Sequence, residues 1–402
     1  MTTRRLYYDD SFMREFSAQV LSCEPEMHGN TPAWAVVLDG TALYPTSGGQ
    51  PHDLGKLGDA NVIDVREDDE DLMHIVDRQL PRGAVAGCVD WPRRFDHMQQ
   101  HTGQHLLSAM FHERFGRPTV SFHLGEEVCT IDVRGPEPTD EILEGAERAA
   151  NRVIAEDRPV TVRYGTAEQF AELGVRKEVQ RSGILRAIEI EGADLQPCGG
   201  THVARTSQIG ILVVRHCSKI RQDWRVEFAC GRRVVRMARH DFELLRRASE
   251  QLGCALEDLS AAAQRAVSER DAHFKSVRAL SERLAEVDAG FALRSVDPDA
   301  HGLRVIARVF NESTQPEYLA HFATQLTKSE KTVALLGRSA CGHLIFAQHP
   351  SANNDMNAVL KQVLAQFPGK GGGTRDFVRG RLNDPTQAEE AVALAVKLLS
   401  AK

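Results

Sequence analysis

Apolar and polar residues alternate with a period of two through the first quarter of the chain and take up a helical period soon after it. Residues 19–22 alternate, residues 33–38 are an apolar run ended by Asp39-Gly40, and apolar stretches at 61–65 and 72–76 follow with Gly, Asp and Pro between them. Short strands bounded by turn residues at this spacing predict a small β-barrel over residues 1–95. From Asp96 to Phe115 the period is helical, with Leu106, Leu107, Met110 and Phe111 on one stripe and Gly116 and Pro118 closing the helix. Strand patterns at 119–124, 127–133, 160–164, 185–190, 210–215 and 224–230, with a Glu- and Ala-rich helix opening on Thr139, predict a long helix lying on an antiparallel sheet over residues 96–231.

Beyond that point strand signals fade. Phe242, Leu245, Leu252, Leu256, Leu259, Val267 and Phe274 recur at three-, four- and seven-residue steps, which predicts a long helical hairpin over residues 232–290 broken at Gly253. Arg232, Arg233, Arg236, Arg239, Arg246 and Arg247 cluster on its first part, as a solvated charged face or as a phosphate-contacting stripe. Residues 291–402 alternate strand patterns at 303–308, 332–337 and 342–347 with helical ones, a final α/β domain. The whole reads as an α+β protein in four parts. The hairpin could pack within the chain or against a second copy, so a homodimer through it or through the C-terminal domain is an expectation.

Composition narrows the class. The 402 residues have room for several cores, 42% are apolar, and no run of 18 apolar residues occurs, so no membrane span is expected. The start, MTTRRLYYDD, has two arginines and no apolar segment, unlike a secretory signal. Eight cysteines at irregular spacing suit reduced thiols in a cytoplasm better than a disulfide framework. A net charge of -7 argues against broad nucleic-acid affinity and leaves local basic clusters as the route to phosphate.

The candidate chemistry sits in two short stretches far apart. His101-Thr-Gly-Gln-His105 puts two imidazoles one helical turn apart, and Cys198-Gly-Gly-Thr-His202 adds a thiolate and a third imidazole. That donor set suits zinc. The metalloprotease pattern fails, because Thr102 stands where a glutamate base would follow the first histidine. A tight loop at 45–51 carries Gly48, Gly49 and Gln50 and would let backbone N–H groups approach a ligand, or is a plain turn. A second glycine-rich stretch at 367–376 carries Lys370, Gly372 and Arg375, as an anion-binding nest or a flexible turn.

The HTGQH and CGGTH elements resemble the two metal-ligand motifs of the editing domain of alanyl-tRNA synthetase and of its free-standing relatives, the AlaX alanyl-tRNA editing proteins. Residues 43–55 are similar to the glycine-rich motif that precedes the first histidine pair there, and order and spacing agree over roughly residues 5–235. The stretch at 367–376 resembles the glycine-rich loop of the DHH-associated domain, thought to touch tRNA, although Phe377-Val-Arg-Gly-Arg replaces the family's small-residue run. Nothing resembles an aminoacylation domain. The resemblance implies a zinc-dependent hydrolase of tRNA(Ala) mischarged chiefly with serine, and with glycine as a second substrate, holding Zn2+ on His101, His105, Cys198 and His202. It implies a hydroxyl-reading position at Thr119, with Ser121 as competitor; Gln104 would hydrogen-bond the substrate, and the backbone of Gly200 and Thr201 would donate to the oxyanion. Gly48, Gly49 and Gln50, with Lys370, Gly372 and Arg375, would contact substrate or tRNA. Three imidazoles and a thiolate fill a tetrahedral zinc, and closed sites are usually structural. A catalytic ion here therefore needs one weak ligand, His101 or His202, or a fifth coordination. A tRNA-binding adaptor with a structural zinc stays open as an alternative, as does a zinc hydrolase of a small ester or amide.

Overall fold

In the computed structural model the described residues are 3–68, 71–175, 183–311, 314 and 316–400. They form a mixed α+β structure that divides into two compact units, residues 1–246 and 247–402. The first begins with β1 (Arg4–Arg5), paired in parallel with β4 (Gly40–Thr41). A closed six-stranded barrel follows from β2 (Glu15–His28), β3 (Thr31–Leu38), β5 (Gly55–Leu57), β6 (Ala60–Asp68), β7 (Asp71–Val76) and β8 (Gly83–Val89), in the order β2-β3-β7-β6-β5-β8. Along β2, Phe16, Ala18 and Val20 point into the core while Glu15, Ser17 and Gln19 are exposed, so a one-residue slip would turn the apolar set to solvent. Strand β8 escapes the sequence reading because Gly83-Ala-Val-Ala-Gly has little strand propensity. Gly87 is there to admit Phe16, whose ring would lie 2.2 Å from an added Cβ.

The barrel hands over to α1 (Trp91–Phe115). Asp90 caps it by accepting the Arg93 N–H, and Gly116 ends it in the left-handed conformation. Next come β9 (Thr119–Leu124), β10 (Cys129–Val133), α2 (Asp140–Ala155), β11 (Val160–Gly165), α3 (Ala167–Glu172), β12 (Leu185–Ile190), β13 (Asp194–Pro197), β14 (Leu212–Ile220) and β15 (Asp223–Cys230). They make two antiparallel sheets, β14-β15-β10-β9 and β11-β12-β13. Met98 to Phe111 of α1 are buried without a break, so this helix lacks the polar outer face of a surface helix. Its lower half is apolar and joins one core with Ile131, Val153, Ile188 and Phe228. Its upper half buries Gln99, Gln100, His101, Thr102, Gln104 and His105. Buried polar groups persist only when paired, and Gln100 clasps both the N–H and the carbonyl of Cys230.

Helix α4 (Arg232–Leu252) ends at Gly253, as the sequence indicates. The arginine cluster on it is not uniformly solvated. Arg233 is buried, donating to Asp96 and to the Gly125 carbonyl.

The second unit contains α5 (Leu259–Ser295), β16 (Arg304–Phe310), α6 (Pro316–Leu326), β17 (Thr332–Arg338), β18 (His343–Gln348), α7 (Met356–Gln366), β19 (Gly369–Gly373), β20 (Phe377–Leu382) and α8 (Ala388–Ser400). Its sheet runs β16-β17-β18-β20-β19, with β16 and β17 parallel and the rest antiparallel. Helices α5 and α6 pack on one face, α7 and α8 on the other. The glycine-rich stretch expected as a loop is instead the edge strand β19. Gly371 faces Gly380 across the ladder, and a Cβ on Gly371 would lie 2.6 Å from the Arg379 carbonyl oxygen, so glycine lets these two strands close. Among the described residues, no helix is long and apolar enough to cross a membrane.

Candidate metal centre

Helix α1 and the loop after β13 bring the two motifs together. One ligand atom each from His101, His105, Cys198 and His202 lies within 4.8 Å of the others. Cys198 Sγ is 3.5 Å from His101 Nε2 and 3.3 Å from His202 Nε2. A tetrahedral ion with metal–sulfur and metal–nitrogen distances near 2.3 and 2.05 Å requires about 3.6 Å along such an edge. The cage therefore has the dimensions of a first-row metal site.

The chain fixes each imidazole through its other nitrogen. His101 Nδ1 is 2.8 Å from Gln50 Oε1, an oxygen that also accepts the Thr201 N–H, while Gln50 Nε2 donates to Thr201 Oγ1. His202 Nδ1 is 3.1 Å from Thr102 Oγ1. That hydroxyl gives its own proton to the Met98 carbonyl, so toward His202 it can only accept. His105 Nδ1 is 3.0 Å from Asp194 Oδ2. All three rings thus carry Nδ1–H and turn Nε2 to the centre, the arrangement in which outer partners set the tautomer of metal-ligating histidines. The loop is held by Arg186, whose Nη1 donates to the carbonyls of Cys198 and Gly200. Only glycine fits at 200, since a Cβ there would sit 2.2 Å from His101 Cε1.

The electrostatics suit a cation. Burial opposes ionisation of Cys198, yet His101 and His202 beside it hold the thiol well below its ordinary value. Burial, then the neighbouring His101, brings His202 down to about 3. Burial alone would lower His105, but its bond to Asp194 and the adjacent Cys198 push it up to about 9. A His105 that keeps a proton at neutral pH must release it when a cation enters the cage.

A cavity of about 790 Å³ has His101, His105 and Cys198 in its wall, and His202 is not among its lining residues. Gln104, Thr119, Ser121, Gly48 and Gly200 also line it. Thr119 Oγ1 and Gln104 Nε2 both meet Ser108 Oγ, at 2.8 and 2.9 Å, so Thr119 and Gln104 form one polar cluster. Ser121 instead donates to Asp132, which Arg225 holds from the other side. Gln104 Oε1 is buried and has no hydrogen-bond partner among the described residues.

Other expected contacts lie elsewhere. Gln50 is fully buried behind His101 instead of facing the cavity. Gly49, at φ +84° and packed under the Phe122 ring, shapes the loop and is not a lining residue. The N–H groups of Gly200 and Thr201, expected to face an oxyanion, are turned to Cys198 Sγ and Gln50 Oε1, which corrects that expectation. Lys370 and Gly372 sit on β19, and Arg375 is tied to Asn353 and Asn354. Sequence spacing missed Asp194 and Arg186, which reach the site only through the β12–β13 pairing. The available signal was chemical: a ligating imidazole calls for a carboxylate or carbonyl at its second nitrogen.

Residues 185–225 match the family described as the threonyl and alanyl tRNA synthetase second additional domain. The chain is 31% identical over 413 residues to the alanyl-tRNA editing protein AlaX-L of Pyrococcus horikoshii, covering 98% of either chain. It is 30% identical over 404 residues to the alanyl-tRNA editing protein Aarsd1 of Rattus norvegicus, covering 96% of this chain and 95% of that one. The alanine–tRNA ligase of Pyrococcus abyssi is 30% identical across 99% of this chain, which spans 44% of the ligase's length.

Proposed function

Since the chain belongs to the family of alanyl-tRNA editing proteins, we propose that it is a trans-editing hydrolase that cleaves the aminoacyl ester of mischarged tRNA(Ala), chiefly the seryl and secondarily the glycyl form, with zinc in the four-ligand cage. The observation that carries the reading is the cage itself: three imidazoles locked with Nε2 inward and a low-pKa thiol, with His101, His105 and Cys198 in the wall of a substrate-sized cavity. Zinc held there would supply positive charge for the ester carbonyl or for a water, which in a closed four-ligand site requires five-coordination or one loosened ligand.

The chain's own residues supply selection. Gln104 Oε1 is a buried acceptor that a serine hydroxyl can satisfy. An alanyl group has no hydroxyl to offer, and a site built around a hydroxyl rejects the analogue lacking it because its own polar atom stays unpaired. Thr119, through Ser108, holds the Gln104 amide in place. Tyr44, Ser47 and Gly48 form the barrel side of the same cavity, where the terminal nucleotide of the tRNA would enter. The N–H groups of Gly200 and Thr201 are already engaged by Cys198 Sγ and Gln50 Oε1 and do not serve the oxyanion.

The test is deacylation of seryl-tRNA(Ala) and alanyl-tRNA(Ala) by the zinc-loaded protein. Rapid release of serine with alanine spared supports the reading. Equal turnover of both, or turnover of neither with tight tRNA binding retained, overturns it.

A further inference from the structure

Attack on an ester carbonyl puts negative charge on its oxygen, and donors aimed at that oxygen lower the barrier. With the N–H groups of Gly200 and Thr201 engaged, the wall of the cavity beside the cage is the place to look for such a donor. Six hydroxyl side chains line it: Tyr8, Tyr44, Ser47, Thr119, Ser121 and Tyr164. Five of them have given their proton away. Tyr44 donates to the Ser47 carbonyl, Ser47 to Glu67, Thr119 to Ser108, Ser121 to Asp132 and Tyr164 to Asp9. Tyr8 alone, among the described residues, only accepts, from Arg5 Nη1 at 3.0 Å. Its own proton is unspent.

The fold holds this phenol close to the metal loop. Tyr8 ends a single 3-10 turn, Leu6–Tyr8, that follows β1. Arg186 donates through Nε to the Tyr8 carbonyl and through Nη1 to the carbonyls of Cys198 and Gly200, so one guanidinium ties the tyrosine to the ligand loop. A Cβ at Gly199 would lie 3.4 Å from Tyr8 Oη, which places the phenol oxygen beside the residue that follows Cys198. The ring packs edge-on to Tyr7 with centroids 5.1 Å apart, and the guanidiniums of Arg5 and Arg186 lie 5.6 and 5.3 Å from its centre. Such contacts fix the ring and surround it with positive charge. A hydroxyl that accepts from a guanidinium donates more strongly in turn.

We propose that Tyr8 is a catalytic residue that donates its phenolic hydrogen bond to the oxyanion formed at the ester carbonyl, an inference that rests on the editing reading of the site. Water adds its oxygen to the carbonyl carbon, the carbonyl oxygen takes the negative charge, and the hydrogen bond from Tyr8 strengthens as that charge grows. The carbonyl then reforms and the acyl–oxygen bond to the ribose breaks. One water proton ends on the ribose hydroxyl, and the other passes to solvent as the freed carboxyl ionises. The phenol keeps its proton throughout.

The experiment uses the zinc-loaded full chain and two adenosine ligands that do not turn over. One is a seryl amide, with a planar carbonyl; the other is a phosphonate ester, whose tetrahedral group carries the charge of the oxyanion. Calorimetric titration gives the affinity of each for wild type and for Tyr8→Phe. Phenylalanine keeps the ring against Tyr7, so the melting temperature stays level. The expected result is a phosphonate affinity lower by about tenfold or more with the amide affinity within about twofold, and single-turnover hydrolysis of seryl-tRNA(Ala) slower by roughly 100-fold. Equal weakening of both ligands would make Tyr8 a packing residue, and an unchanged phosphonate affinity would mean that the oxyanion is served elsewhere. Either result overturns the proposal, as does a wild type that binds neither ligand. A wild type that hydrolyses no seryl-tRNA(Ala) yet shows the loss confined to the phosphonate would sink the editing reading and leave the Tyr8 assignment standing.

Discussion

Asp194 is where the metal centre can be weakened without removing a ligand. Its Oδ2 lies 3.0 Å from His105 Nδ1, and the two side chains are only 2% and 5% exposed. Asp194→Asn keeps the shape and an acceptor oxygen but loses the charge. Charge-assisted hydrogen bonds are about twice as strong as neutral ones, roughly 1.5–3 against about 1 kcal/mol net, so about 0.5–2 kcal/mol goes. That is roughly a 2- to 30-fold loss of zinc affinity, overlapping the range seen when the outer partners of metal-ligating residues are replaced. The assay is competition for zinc between the protein and a chelating dye across a range of dye concentrations. The His105 proton should also become easier to remove, so less buffer protonation accompanies loading. A zinc dissociation constant within about twofold of wild type would refute the idea that Asp194 tunes the cage, whatever happened to activity.

Gln104→Leu removes the unpartnered buried oxygen. Stability should hold or rise, while seryl-tRNA(Ala) deacylation falls by about 10- to 100-fold and the serine-over-alanine preference shrinks; a preference that survives intact moves hydroxyl recognition elsewhere. In the barrel, burial holds His74 down to about 4, against 6.5 for the free side chain. The unfolded chain therefore takes up a proton below 6.5 that the folded chain refuses, and stability present above that pH is lost as pH falls toward 4. At pH 5 this amounts to about 2 kcal/mol, so urea unfolding at pH 7 and pH 5 should show a smaller difference for His74→Gln than for wild type; an equal difference would place the acid sensitivity in other groups.

The four-residue cluster was legible because His101 and His105 stand four apart on a helix and Cys198 and His202 four apart in one short motif. The helix boundaries at Gly116 and Gly253 were legible for the same local reason, a residue free to turn left-handed. The partners of the ligands were not. Gln50, Thr102 and Asp194 come from three separate elements and meet the imidazoles only once the barrel, α1 and β13 are assembled. Gln50 shows how a motif can mislead: glycine neighbours suggest a ligand-facing loop, whereas its side chain turns inward and braces a histidine. The stretch at 369–373 misled in the opposite sense. Three glycines suggest a flexible turn, yet here they form a ladder because Gly380 across from them leaves room for close pairing.

The metal cage should do chemistry and not merely hold the fold. The measurement is single-turnover hydrolysis of seryl-tRNA(Ala) before and after chelation, with circular dichroism followed on the same samples. The cage sits on a large apolar core shared by α1, α2 and two sheets, so the expected result is loss of hydrolysis with the spectrum and the cooperative melt largely kept, and recovery when zinc is restored. Undiminished hydrolysis by the chelated protein, or loss of hydrolysis only in step with unfolding, would contradict it.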